Sequence, residues 1–202
     1  MRKLQLLFPL ALLALALGLT ACGGGGDSDE DKIVEVIETS TTSTDPADCE
    51  ALATQAFLEQ TQFSEGEEAV KACEESAEET EDNPDSVEVT EIEIDGADAT
   101  AEVAFVGGNF DGQTFTVALV EEDGDWKLDE LTGFAEFDQE TLATSLEEGL
   151  QAGDNGVDPE LAECFGETVR EAPQAQAEDL IIGGSQGPIV EIVEGCTEGL
   201  ES

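Results

Sequence analysis

The spacing of apolar residues along the chain changes period twice. From Asp45 onward, Cys49, Leu52, Ala53, Ala56 and Phe57 recur at i, i+3, i+4, i+7 and i+8, which places them on one face of a helix. Asp45-Pro46 supplies an N-cap and a proline for the first helical position. A second helix is expected from Ser64, with Glu67 completing a capping box and Ala69, Val70, Cys73 and Ala77 forming its apolar face. Packed as an antiparallel pair, these helices bring Cys49 toward Cys73. Upstream, Ile33, Val34 and Ile37 suit either a helical stripe or a short strand.

After the turn at Asn83-Pro84-Asp85 the period falls to two. Val87/Val89 and Ile92/Ile94 alternate but change phase between the pairs, which predicts a β-bulge. Beyond Asp95-Gly96, one face of a second strand carries Ala99, Ala101, Val103 and Phe105, and one face of a third carries Phe115, Val117 and Leu119. The hairpin signal Asp123-Gly124 leads into a fourth strand with Trp126 and Leu128. The glycine-rich Gly107–Gly112 reads as a strand connection, because no helix follows it to bind a phosphate and the surrounding charge repels one.

Helical spacing returns in the last third. Leu142, Leu146 and Leu150 are four apart; Pro159 opens a helix with Leu161, Cys164, Phe165 and Val169; Pro188 opens another with Ile189, Ile192, Val193 and Cys196. The expected class is therefore α+β: N-terminal helices on a four-stranded antiparallel meander, followed by a small disulfide-stapled helical region over residues 139–202.

The beginning of the chain has a different character. Arg2 and Lys3 precede an apolar run that closes at Leu19-Thr20-Ala21-Cys22, the plan of a secretory signal ending in small residues. Leu-Thr-Ala-Cys resembles the lipobox of bacterial lipoproteins. That resemblance implies cleavage after residue 21 and lipidation of Cys22, with acyl chains such as palmitate anchoring the protein to the cell membrane, facing outside the cytoplasm. Leu4 to Ala21 is also close to the shortest stretch that spans a bilayer, and simple secretion with a free cysteine is the other alternative. Residues 22–30, with four glycines and then Asp27-Ser28-Asp29-Glu30, read as a flexible, self-repelling spacer. The alternating Asp27, Asp29 and Asp31 begin like a calcium loop, with Glu38 at its twelfth position, but Lys32 stands at the sixth, where such a loop needs Gly.

Charge narrows the partners. Fifty acidic residues stand against six basic ones, and removal of Arg2 and Lys3 with the leader brings the formal charge to about −46. Nucleic acid and anionic head groups are repelled, so membrane association must come from the lipid, while a basic protein remains an acceptable partner. With no His and no Tyr, the commonest general acid/base and the commonest transition-metal ligand are missing. No catalytic residue, cofactor or metal ligand is nominated; Asp123 and Asp125 read as solvated hairpin charges. Cys49, Cys73, Cys164 and Cys196 allow three connectivities. Their grouping, two early and two late, favours Cys49–Cys73 and Cys164–Cys196.

Helices, a clipped helix pair and a meander whose last strand reads Asp123-Gly124-Asp125-Trp126-Lys127-Leu128-Asp129 are similar to NTF2-like (cystatin-like, cone-shaped) domains over residues 31–138. That resemblance implies an apolar pocket between sheet and helices, for which Phe57, Phe105, Phe115 and Trp126 are the candidates. An aromatic opening a strand is more often core, so Trp126 has two readings. Enzymatic relatives carry His, Tyr or paired Asp in the pocket, so the resemblance implies a non-enzymatic lipoprotein that binds a small apolar ligand or a protein partner. The alternatives are a structural acidic envelope protein adapted to high salt, and a carboxylate-only hydrolase.

Overall fold

A computed structural model describes residues 28–77, 83–152, 157–184 and 187–200. The apolar leader, Cys22 and the glycine run fall outside the described residues. Helix α1 (Asp29–Thr42) begins inside the stretch read as spacer. Ser28 accepts the Asp31 N–H at 3.2 Å while the Asp31 carboxylate accepts the Ser28 N–H at 3.0 Å, a reciprocal capping box. The acids of that run sit in the first turn, where the positive end of the helix favours them. Ile33 and Ile37, one turn apart, are buried against the sheet.

The expected helix from Asp45 is broken into α2 (Asp48–Leu52) and α3 (Gln55–Gln62). The break has a tertiary cause. Ala53 bridges Leu128 in parallel, the Thr54 N–H donates to the Leu128 carbonyl at 2.8 Å, and the Thr54 hydroxyl donates to Asp129 at 2.9 Å. Thr54 then caps α3 by accepting the Phe57 N–H. Re-phasing after the break turns Leu58 inward and leaves Ala56 exposed, contrary to the continuous helical face. Helix α4 (Glu67–Ala77) starts without the expected box: the Ser64 hydroxyl is buried with no partner among the described residues, and Glu59 instead accepts the Gly66 N–H at 2.9 Å.

Strands β1 (Ser86–Asp95), β2 (Asp98–Val106), β3 (Thr114–Glu122) and β4 (Asp125–Glu136) form one antiparallel sheet in sequence order. The phase change in β1 is a register shift between Thr90 and Glu93, with Glu91 at a left-handed φ of 47°. The β3–β4 hairpin has positive φ at both Asp123 (55°) and Gly124 (97°), matching the right-handed twist of its strands. Ala99, Ala101, Val103, Phe115, Val117, Leu119, Trp126 and Leu128 face the helices as one core.

Beyond the sheet lie α5 (Gln139–Ala152), α6 (Pro159–Glu171), α7 (Gln174–Ile182) and α8 (Gly187–Leu200). Helix α7 has no counterpart in the periodicity: Leu180, Ile181 and Ile182 are consecutive, and no side chain caps its start. A second cluster gathers Ala143, Phe165, Val169, Ala177 and Leu180, and Ile181 packs against both clusters. Disulfides Cys49–Cys73 and Cys164–Cys196 tie α2 to α4 and α6 to α8, with Cα–Cα distances of 6.1 and 5.8 Å. The architecture is thus α+β, a four-stranded antiparallel meander with helices, including a disulfide-linked pair near the C-terminus.

Candidate functional site

Three phenylalanines from β2, β3 and their connection meet edge to face. Phe105, Phe110 and Phe115 have ring centroids 5.2–5.9 Å apart, and Phe134 stacks beyond Phe115 at 4.5 Å. Phe110 belongs to a 3-10 turn (Gly108–Phe110) in the glycine-rich connection, and a buried glutamine fixes that turn. The Gln113 N–H donates to the Phe110 carbonyl at 3.0 Å. Its side-chain amide meanwhile exchanges two 3.0 Å hydrogen bonds with the backbone of Asp138.

Against this aromatic wall stand α3, α5, α6, α7 and α8, and the space between is an apolar chamber of about 410 Å³. Phe57, Phe105 and Phe115 line it, as do Phe63, Phe110, Leu131, Leu146, Phe165, Leu180 and Ile189. A second chamber of about 370 Å³ lies between α1, α2, α4 and the sheet, and is bordered by both cysteines of the first disulfide. Phe57, Thr61, Gln62, Phe105 and Phe110 line both. Each is within the usual range for small-molecule pockets. A third cavity, an open groove of about 660 Å³ beside α3 and α7, is polar and carries Glu59, Asp129 and Glu130.

Trp126 is placed elsewhere. It pairs across the sheet with Glu121, whereas Phe115 pairs with Phe134. Six residues of strand, about 20 Å at the rise of a β-strand, separate the two positions on β3. Trp126 is a core residue at the hairpin end of the sheet and lines neither chamber, with its indole N–H unpartnered among the described residues. Of the additional lining residues, Phe110 belongs to the glycine-rich strand connection, where no periodic pattern marks it. Phe63 ends α3 at a left-handed φ of 49°, and Leu180 sits on the unexpected α7. Phe165 and Leu146 were legible as helix-face residues, but not as part of this wall.

The electrostatics are one-sided. Lys32, Lys71 and Lys127 lie 3.1, 3.1 and 3.5 Å from Asp29, Glu75 and Glu122, and Arg170 lies 2.9 Å from Glu140. None of these cations lines a chamber. Hydrogen bonds to their charged forms hold three carboxyls below the usual carboxylate range. Asp31 is held by the Ser28 hydroxyl and N–H, Glu59 by the Gly66 N–H and then the Gln55 amide, and Asp138 by the Thr141 N–H and then its hydroxyl. Among the described residues, no group of three or more Cys, Asp or Glu converges as metal ligands.

The described chain is a disulfide-bonded α+β protein with two largely apolar chambers between sheet and helices. Residues 59–136, the second half of α3 through the end of β4, match the family model of the low molecular weight antigen MTB12 C-terminal domain. No curated protein and no solved structure matches the chain. Disulfides are the mark of an oxidising, extracytoplasmic compartment. No helix among the described residues is long and apolar enough to cross a membrane.

Proposed function

We propose that this chain is a lipid-anchored extracytoplasmic lipoprotein, cut before Cys22, whose NTF2-like unit over residues 31–138 binds a small apolar ligand without catalysing a reaction. The observation that carries the reading is the chamber behind Phe57, Phe105 and Phe115, an apolar space of about 410 Å³ of the kind a filled core would not leave. The meander with helices against one face is the layout from which the NTF2-like resemblance draws its pocket. The helices over residues 139–202 complete the wall through Leu146, Phe165, Leu180 and Ile189. The acid excess suits a protein held at the membrane by lipid rather than by charge.

Two measurements test this. Mass analysis of the membrane fraction is expected to show a mature chain starting at Cys22 with a lipid adduct, and Cys22→Ser to release or mis-process it; a retained Met1 contradicts the anchor. Native mass spectrometry of protein from its own host is expected to show a co-purifying apolar molecule. Failure to retain one, together with indifference to added apolar compounds, returns the protein to a purely structural role in the envelope.

A further inference from the structure

Taking the chamber of about 410 Å³ as a ligand site, as proposed above, its wall determines what the ligand can carry. Among the described residues that wall consists of phenylalanine, leucine and isoleucine, with Thr61 and Gln62 as its polar members and no Asp, Glu, Lys or Arg. The Thr61 proton is committed, because its hydroxyl donates to the Phe57 carbonyl at 2.9 Å. Gln62 is different. It is half-buried at the end of α3, and its side-chain amide has no hydrogen-bond partner among the described residues. Gln60, two residues earlier in the same helix, has both of its amide atoms bonded to backbone. Gln62 therefore offers the chamber one donor group and one acceptor, both uncharged.

Charge of either sign is disfavoured here. The four basic residues beyond Lys3 are Lys32, Lys71, Lys127 and Arg170; each is paired with a carboxylate and none borders the chamber. An anion against this wall would lose its hydration with no cation to compensate it, inside a strongly acidic chain that repels it as well. A cation would be drawn to the faces of the phenylalanine rings, but that attraction is smaller than the cost of dehydrating a full charge where no carboxylate answers it. A pure hydrocarbon is not the best occupant either, because covering Gln62 with carbon strands its amide.

Volume sets the remaining limit. At the ~0.75 packing density of protein interiors, a space of about 410 Å³ takes an occupant of on the order of 15 to 20 non-hydrogen atoms. We infer that this chamber binds an uncharged apolar molecule of that size bearing one hydroxyl or carbonyl, and that the Gln62 amide is the group that recognises it.

The test keeps one carbon skeleton and changes its polar group. Farnesene, farnesol, farnesoate and farnesyltrimethylammonium are offered in turn, at equal free concentration and pH 8, to mature full-length protein, and occupancy is read by native mass spectrometry. One-to-one adducts are expected with farnesol and more weakly with farnesene, and occupancy by either ion about tenfold or more below that of farnesol. Gln62→Leu is expected to lower farnesol occupancy about fivefold, the ratio set by one lost neutral hydrogen bond, and to leave farnesene binding equal or stronger. A general loss of structure would not produce that crossing. No loss of farnesol, or equal loss of both by a variant that melts with the wild type, overturns the role of Gln62 and leaves the apolar chamber standing. Either ion binding as well as farnesol overturns the exclusion of charge. Absence of every adduct overturns the ligand site itself. The wild-type series stands whether or not the variant folds.

Discussion

The side chain of Gln60 pairs with the backbone of Leu131 as a neighbouring strand would. Its Nε2 donates to the Leu131 carbonyl at 2.9 Å, and its Oε1 accepts the Leu131 N–H at 2.8 Å. The same Nε2 donates to the Ile182 carbonyl at 2.7 Å, so a single amide joins α3, the edge strand β4 and the end of α7. Leu131 lines the chamber of about 410 Å³, and this clasp helps hold the chamber's wall in place.

Gln60→Ala removes partners from three backbone groups at once. Unsatisfied groups cost about 1–3 kcal/mol each when water cannot reach them, and this position is half-buried, so a loss of about 2 kcal/mol is expected in denaturant unfolding, with faster hydrogen exchange at the Leu131 amide. Gln60→Glu keeps the acceptor but sets a carboxylate against two carbonyl oxygens. It should be no more stable than the alanine variant at pH 7.

The two disulfides close loops with sequence separations of 24 and 32 residues. On the chain-entropy account each contributes about 3–4 kcal/mol, so either double Cys→Ser variant is expected to lose several degrees or more of melting temperature. Non-reducing peptide mapping checks the pairing directly; a Cys73–Cys164 peptide would contradict it.

Folding gathers carboxylates whose only cationic neighbours among the described residues are Lys32, Lys71, Lys127 and Arg170. At about 0.1 M salt the Debye length is near 10 Å, and at 1 M it is near 3 Å, so most of this repulsion disappears in molar salt. The soluble fragment from Asp27 onward is expected to melt substantially higher in molar NaCl or KCl than in dilute buffer. The same rise in millimolar CaCl₂ would indicate a bound ion, and indifference to salt would remove repulsion as a determinant of stability.

Asp138 caps α5 by accepting the Thr141 N–H at 3.0 Å, and this bond lowers its pKa from the ordinary 3.8. A carboxyl lowered on folding contributes stability that is fully present above its unfolded value and is lost as pH falls through the folded one. Asp138→Asn should therefore melt below the wild type at pH 6, with the gap closing below about pH 4. A gap independent of pH would mean that the carboxylate charge plays no part in the cap.

Local alternation was sufficient to read the four strands, the bulge in β1 and the Asp123-Gly124 hairpin, because a sheet with one buried face imposes a period of two on every strand that joins it. Grouping of the cysteines in sequence was sufficient for both disulfides. Single-face helices such as α5 and α6 were legible for the same reason as the strands. The break between α2 and α3 was not, because it depends on Leu128 and Asp129 reaching Ala53 and Thr54 from more than seventy residues away. Helix α7 escaped because its inward face is short, only Ala177, Leu180 and Ile181, and no side chain caps its start. The chamber was half legible. Phe57, Phe105 and Phe115 could be placed on inward faces, but not Phe110, whose turn is held by Gln113 and Asp138. Residues Phe165, Leu180 and Ile189 reach it only after four helices fold back over the sheet. A one-dimensional pattern records which face of its own element a residue occupies. Which faces meet, and whether they leave space between them, is decided by contacts such as Gln60 with Leu131, 71 residues apart in the chain.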